Sequence, residues 1–151
     1  MQKGENGKVA IHVAAWILRL ALGSTFLVSV ADRLGMLGPN GARNVSWGDW
    51  QHFVAYVAIL NWFLPHAVAS PLAITETIIE TAAGIGLIVG LWPRQMAWVA
   101  AALLLSFALT TTIALGIVAP VSYSVYSAFG GALLLAMVSE PGSSAWSRRA
   151  G

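Results

Sequence analysis

Hydrophobic residues occur along this chain in four long runs, and charged residues are sparse within them. The runs cover residues 9–31, 72–92, 96–117 and 121–138. A helix of about 20 apolar residues crosses the hydrocarbon core of a bilayer, and each run has about that length. The pattern therefore predicts an all-α, polytopic membrane protein whose four transmembrane helices pack as a single bundle.

Turn-forming residues mark the ends of these runs. Pro71 begins the second run, and only residues 92–95 separate it from the third, which predicts a tight helical hairpin. Residues 139–151 follow the fourth run and are predicted to form a cytoplasmic tail. The first run also has features of a secretory signal peptide, but Arg19 interrupts its apolar core, so we interpret it as a retained helix.

A polar loop and an aromatic segment separate the first two runs. Residues 32–50 are rich in Gly, Asn and charge, which predicts a loop outside the bilayer. Residues 47–66 contain an apolar stretch that Pro65 ends after about a dozen residues, too few to cross a bilayer. We expect an extracytoplasmic interfacial helix here, with its rings among the lipid headgroups. The aromatic residues concerned are Trp47, Trp50, Tyr56, Trp62 and Phe63.

Composition narrows the chemistry that the chain can perform. The chain is 58% hydrophobic and 9% charged, with a mean hydropathy of +0.74, as expected of an integral membrane protein. It has no cysteine, which excludes disulfide exchange and thiolate-bound iron–sulfur clusters. His12, His52 and His66 lie near span ends or in the loop, and no dense basic face is present. We therefore expect no haem, no metal and no nucleic acid partner.

Basic residues are divided unequally between the two sides of the predicted bundle. Cytoplasmic segments of membrane proteins carry an excess of Lys and Arg. Both termini are therefore predicted to lie in the cytoplasm, with the protein crossing the inner (plasma) membrane several times in contact with membrane lipid. The basic residues predicted on the cytoplasmic side are Lys3, Lys8, Arg94, Arg148 and Arg149, against Arg33 and Arg43 on the other.

Two acids lie inside the second run, where a charge is costly and calls for a partner. Glu76 and Glu80 are four residues apart, so they share one helix face. Counting residues inward from each predicted helix end puts Arg19 and Glu80 at similar depth, with Arg33 beside Glu76. We therefore predict the ion pairs Arg19–Glu80 and Arg33–Glu76.

These charges have a structural and a functional interpretation. Buried ion pairs can fix helix register with no chemistry. Alternatively, two carboxylates one turn apart resist simultaneous ionisation, so Glu80 and Glu76 would relay a proton to a ligand bound by Arg19 and Arg33. Tyr123 and Tyr126, one turn apart near the start of the fourth run and so near its outer end, are further candidate ligand-binding residues, although tyrosines also populate the aromatic belt.

The segments ILRLALGSTFLVSVADRLG and TETIIETAAGIGLIVGLWPRQMA resemble the DoxX family. The resemblance covers about residues 14–117 and implies a four-helix inner-membrane protein. Part of that family is linked to thiosulfate:quinone oxidoreduction, and other members accompany redox or stress-defence partners. The matching positions are Arg19, Gly23, Phe26, Arg33, Glu80 or Glu76, Gly84, Gly90 and Arg94.

Three functions follow from this resemblance and from the acids. The first is a membrane subunit that binds a quinone or another small amphiphile, either as a quinone-linked oxidoreductase subunit or without catalysis. The second is a non-catalytic scaffold that anchors a soluble redox partner protein. The third is a small proton-coupled transporter. The sequence leaves the substrate open, and it also leaves open whether the chain forms a homo-oligomer.

Overall fold

The computed structural model describes residues 2–139, and every regular element within them is helical. The prediction of an all-α membrane protein is confirmed. The predicted tail lies, from residue 140 onward, outside the described residues. The α-helices are α1 Gln2–Arg33, α2 Trp50–Leu60, α3 Ala69–Val89, α4 Pro93–Leu115, α5 Val118–Ser122 and α6 Val125–Val138, with a 3-10 turn at His66–Val68 before α3.

Three helical stretches are long and apolar enough to cross a bilayer. They are Asn6–Arg33, His66–Val89 and Pro93–Leu115, with mean hydropathies of 1.8, 1.7 and 2.0. The 14 residues of α6 extend only about 21 Å, less than the roughly 30 Å hydrocarbon core. A fourth complete span therefore stays a prediction.

The fourth apolar run is divided by a break that its hydrophobicity does not reveal. Ser124, between α5 and α6, has a φ of 56°, in the left-handed region that interrupts a right-handed helix. Tyr123, predicted to share a helix face with Tyr126, instead ends α5. No Gly or Pro lies at residues 121–125, so the sequence carries no signal of the break.

Small residues let the long helices approach one another closely. A Cβ atom added at Gly23 of α1 would lie 2.9 Å from the carbonyl oxygen of Gly84 in α3, so the two backbones nearly touch there. Gly86, on another face of α3, lies against Met96 of α4. The buried core that joins α1, α3, α4 and α6 consists of Leu22, Phe26, Ala83, Leu87, Ala97, Ala100, Ala101, Ala132, Leu135 and Ala136.

The bundle has two distinct ends. The hairpin end is the turn at residues 90–92 between α3 and α4. The loop end comprises the loop at residues 34–49 together with α2, which packs on the first half of α3 through Phe53, Val57, Ala69 and Ala73.

Asp32 fixes the loop to the end of α1. Its carboxylate is 4% exposed and accepts backbone N–H bonds from Ser46, Trp47 and Gly48, at 2.8, 3.2 and 3.1 Å. A carboxylate that accepts several N–H bonds forms strong, charge-assisted contacts. The loop is therefore held in one conformation at the point where it turns toward α2.

Candidate functional site

The centre of the candidate site is Arg33, the last residue of α1, which is only 1% exposed. Its Nη2 donates to Oε2 of Glu80 at 2.7 Å, and its Nη1 donates to Oγ1 of Thr77 at 3.0 Å. Its Nε donates to the backbone carbonyl of Ser29 at 3.2 Å. This one guanidinium therefore connects the end of α1 to the middle of α3.

Aromatic rings cover the same guanidinium. Its central carbon lies 3.8 Å from the ring centre of Phe53 in α2 and 5.3 Å from the ring centre of Trp47 in the loop. Trp47 and Phe53 also pack edge to face, with ring centres 5.0 Å apart. A cation over an aromatic face gains electrostatic energy, and more when water is excluded. Arg33 therefore holds α1, α2, α3 and the loop together.

The predicted ion pairs were wrong. Glu80, 8% exposed, pairs with Arg33 and not with Arg19. The other donors of Arg33 bond to Thr77 and Ser29, so Arg33 makes no direct ion pair with Glu76. The depth estimate assumed that α1 enters the bilayer near residue 9, but α1 is one continuous helix from Gln2. Residue 9 marks no helix boundary, and a count of residues from it cannot give a depth.

Arg19 instead lies at the C-terminal end of α3. Its Nε donates to the carbonyl oxygen of Leu87 at 2.8 Å, and its guanidinium lies over the ring of Trp16, 4.2 Å from the centre. The last carbonyls of a helix lack partners within the helix, and the helix dipole favours a cation there. Gly90, which ends α3 with a φ of 82°, leaves room for this guanidinium, because an added Cβ atom would collide with it.

Glu76 lies one turn from Glu80 and is partly buried. No hydrogen bond to its carboxylate is formed by residues 6–139, although Arg33, Glu80 and Tyr56 are within electrostatic range. We call Arg33, Glu76, Thr77 and Glu80 the polar cluster. It contains two carboxylates and one guanidinium, so it carries an excess negative charge when both acids are ionised.

The two candidate tyrosines have different surroundings. Tyr126 of α6 shares a hydrogen bond of 2.8 Å with Thr112 of α4, which connects these two helices near the loop end. Tyr123 is 75% exposed, but it is within electrostatic range of Tyr56. The structure therefore brings Arg33, Glu76 and Glu80 together, and it leaves Arg19 at the other end of the bundle.

Comparison with known families assigns the chain. The family model described as methylamine utilisation protein MauE matches residues 11–122, which include the polar cluster and Arg19. The chain belongs to the MauE family. The DoxX resemblance was wrong, since no DoxX model matches. It depended on short motifs within apolar sequence. No curated protein and no solved structure matches the chain.

Several residues of this MauE-family site were not predicted from the sequence. Thr77 and Phe53 contact Arg33, and Asp32 holds the loop. A weak signal was present, because an adjacent acid and base, Asp32-Arg33, stand where an apolar helix ends. Phe53 lies 20 residues from Arg33 along the chain, and no sequence spacing announces that contact.

No group of three or more His, Asp or Glu side chains that could hold a metal is present among residues 6–139, whose side chains the structure describes. The polar cluster therefore offers hydrogen-bond acceptors and charge, arranged around a guanidinium that other protein groups already occupy. The polar cluster can therefore bind charged groups and hydrogen-bond donors.

Proposed function

We propose that this MauE-family protein is a non-catalytic membrane component of a methylamine-utilisation redox system, and that its loop end docks a partner protein. The description of the matching family, methylamine utilisation protein MauE, supports the assignment to a methylamine-utilisation system. The observation that supports docking is the burial of Arg33, whose guanidinium contacts α3, α2 and the loop at once. An arginine with these contacts stabilises the conformation of the surface at the loop end.

The contacts of Arg33 also argue against a catalytic role for it. With 1% of its surface exposed and bonds to Glu80, Thr77 and Ser29, it has to break protein contacts before it can orient a substrate. Breaking a buried pair costs several kcal/mol, about 3–5. The structural interpretation of the Arg33–Glu80 pair is therefore favoured over a proton relay through Glu80.

The loop end presents apolar side chains beside this fixed framework. Leu34, Met36 and Leu37 in the loop are 56%, 73% and 45% exposed, and Trp62 and Phe63 after α2 are 68% and 54% exposed. Interface cores are enriched in aromatic residues and Met. Because Asp32 orders the loop before any partner binds, docking costs less conformational entropy.

Growth on methylamine tests this function in a host that requires this protein for that growth. We expect the double substitution Met36→Asp and Leu37→Asp to abolish growth while the protein still accumulates in the membrane. The matched control is Arg43→Asp with Gln51→Asp, two exposed positions outside the apolar runs, which should grow normally. Normal growth of the loop-end variant, or no dependence of growth on the chain, would overturn the proposal.

The second candidate function is the binding of a quinone or another small amphiphile. The favouring observation is Glu76, a partly buried carboxylate within electrostatic range of the phenol of Tyr56. Quinone-dependent turnover with a partner should then be lost in Glu76→Gln and Tyr56→Phe, but not in Arg19→Lys, which changes the other end of the bundle. Turnover that survives both substitutions would remove this candidate.

We further propose that the hairpin end faces the cytoplasm of the inner membrane, as the predicted excess of basic residues on that side favours. Single cysteines at Lys8 and Arg43 test this, since the native chain has none. An impermeant thiol reagent applied to intact cells should label the residue-43 variant and spare the residue-8 variant. Labelling of the residue-8 variant and not the residue-43 variant would show that the protein has the opposite orientation in the membrane.

A further inference from the structure

A sharp turn in the loop places an asparagine directly before a glycine. Asn40 and Gly41 are the central residues of this turn, which a 3.0 Å hydrogen bond closes from the backbone N–H of Ala42 to the carbonyl oxygen of Pro39. Gly41 has a φ of 84°, as a type II turn requires at its third residue. Both central residues are exposed, so water reaches the Asn40 side chain.

The backbone nitrogen of Gly41 is free to react with that side chain. Its N–H forms no hydrogen bond with any residue that the structure describes. A Cβ atom added at Gly41 would meet nothing within 4 Å, so the space around this residue is open. Glycine also has no side chain to hinder the nitrogen, and its backbone rotates more freely than that of other residues.

Two other asparagines each lack one of these conditions. Asn6 also precedes a glycine, but Asn6 and Gly7 both lie within α1, where the backbone N–H groups belong to the helix. Asn44 lies in the same loop, but the next residue, Val45, is branched at Cβ, and its N–H donates to the carbonyl oxygen of Ala42 at 3.2 Å. Of these three asparagines, Asn40 alone precedes a nitrogen that is both unhindered and unbonded.

The side-chain amide of Asn40 holds the loop through one peptide group, the one that joins Trp47 to Gly48. Its Nδ2 donates to the carbonyl oxygen of Trp47 at 2.9 Å. The N–H of Gly48, in the same peptide group, donates to the Asp32 carboxylate at 3.1 Å. A Cβ atom added at Gly48 would collide with the backbone of Asn40, so the two segments of the loop are in close contact. Position 40 therefore needs a hydrogen-bond donor, and a carboxylate offers only acceptors.

We propose that Asn40 is a site of spontaneous deamidation, and that its conversion to an acid releases the loop from this contact. The Gly41 nitrogen attacks the side-chain carbonyl carbon of Asn40, a carbon–nitrogen bond forms, and the amide nitrogen leaves as ammonia with the proton of the Gly41 N–H. Water then opens the cyclic imide to aspartate or isoaspartate. The sequence of steps consumes one water and releases one ammonia, and it needs no oxidant or reductant.

The product no longer fits the loop. The new carboxylate faces the carbonyl oxygen of Trp47, and it lies across one peptide group from the Asp32 carboxylate, so both neighbours repel it. The released segment carries the Trp47 ring, which packs on Arg33 and Phe53. The effect on partner docking rests on the proposed function, because a loop without a fixed conformation loses more entropy when it docks.

Mass spectrometry of the purified full chain in nanodiscs tests the modification. The protein is incubated at neutral pH and physiological temperature and then digested, and the conversion of each asparagine to an acid is followed with time. We expect Asn40 to convert at least about tenfold faster than Asn6, because the Gly7 nitrogen becomes available only when α1 opens locally. Asn44 should also convert more slowly than Asn40. Conversion of Asn40 no faster than that of either control would overturn the proposal.

Two substitutions of Asn40 test the effect on the loop. Asn40→Asp reproduces one product, and its Trp47 and Gly48 amides should exchange hydrogen roughly two- to tenfold faster, which corresponds to the loss of one hydrogen bond. Asn40→Gln keeps an amide but forms the cyclic imide much more slowly, so its exchange rates should not change during incubation. Native exchange rates in Asn40→Asp would contradict the release of the loop.

Growth on methylamine separates this inference from the proposed function. Asn40→Asp should slow growth if the ordered loop docks a partner. Faster exchange of the loop amides together with normal growth would overturn docking through this loop, and the deamidation site would stand.

Discussion

The two buried arginines of α1 are satisfied in different ways. Arg33, at the loop end, is 1% exposed and pairs with a carboxylate on α3. Arg19, at the hairpin end, is 6% exposed and donates to the carbonyl oxygen of Leu87 at the end of the same helix α3. They lie 14 residues apart on one helix, or about 21 Å.

This difference shows that an arginine in a membrane helix does not by itself predict an acid beside it. A helix C-terminus also offers partial negative charge and carbonyl acceptors that the helix cannot use. Arg19 stabilises the end of one helix. Arg33 instead gathers two other helices and a loop, so we expect its removal to affect a larger part of the fold.

The largest expected effect is that of Arg33→Leu. This substitution leaves Glu80 buried without its cation and removes the contacts to Thr77 and Phe53. We expect a loss of about 3–5 kcal/mol in the free energy of unfolding. Equilibrium unfolding in detergent micelles measures it. Arg43→Leu, at an exposed loop position, should change stability by no more than about 0.5 kcal/mol.

A smaller effect is expected at the hairpin end, from Gly90→Ala. Gly90 has a φ of 82° and a ψ of 31°, in the left-handed region, so alanine strains the backbone there by about 1–2 kcal/mol. The new Cβ atom would also collide with the Arg19 guanidinium and displace it from Leu87.

The hydrogen bond of Arg19 is expected to contribute about 1.5–3 kcal/mol, because its donor is charged. Gly90→Ala should therefore cost more in the native chain than in an Arg19→Leu background, where the backbone strain is the same and the Arg19 contact is already absent. Equal losses of unfolding free energy in the two backgrounds would show that the Arg19 contact adds nothing to stability.

The smallest effect concerns an exposed pair that contrasts with the buried one. Asp49 begins α2 by accepting the backbone N–H of His52 at 2.9 Å, and this bond, together with the His52 side chain, holds the pKa of Asp49 below the ordinary value of an aspartate. A lowered pKa in the folded state means that the stabilisation is present above the ordinary value and is lost as pH falls through the lowered one.

We therefore expect α2 to loosen slightly in the native chain as the pH falls through the lowered pKa of Asp49. In Asp49→Asn this step should be absent. Hydrogen exchange of the α2 amides across that pH range measures the difference. The same acid step in both proteins would assign it to another group.

The sequence predicted the helices better than it predicted the contacts between them. Runs of apolar residues indicate a helix directly, because burial in lipid requires them. The break at Ser124 was missed, since a left-handed serine follows from packing and not from a local residue signal. Likewise, α2 was expected from Pro65 and the aromatic residues, but its contact with Arg33 was not.

The pairing of charges failed for a related reason. The sequence shows which charges lie in apolar runs, but relative depth depends on where each helix begins and how far two helices are offset. The start of α1 at Gln2 and the close approach of Gly23 to Gly84 set that offset, and neither is visible in hydrophobicity. The family also could not be assigned from short motifs in apolar sequence.

The most direct measurement is a pair of double-mutant cycles in which Glu80→Leu is combined first with Arg33→Leu and then with Arg19→Leu. Unfolding free energies in micelles should show a coupling of about 1–3 kcal/mol between Arg33 and Glu80. Arg19 and Glu80 should be additive within about 0.5 kcal/mol. Strong coupling of Glu80 to Arg19, or none to Arg33, would contradict the arrangement of the loop end described above.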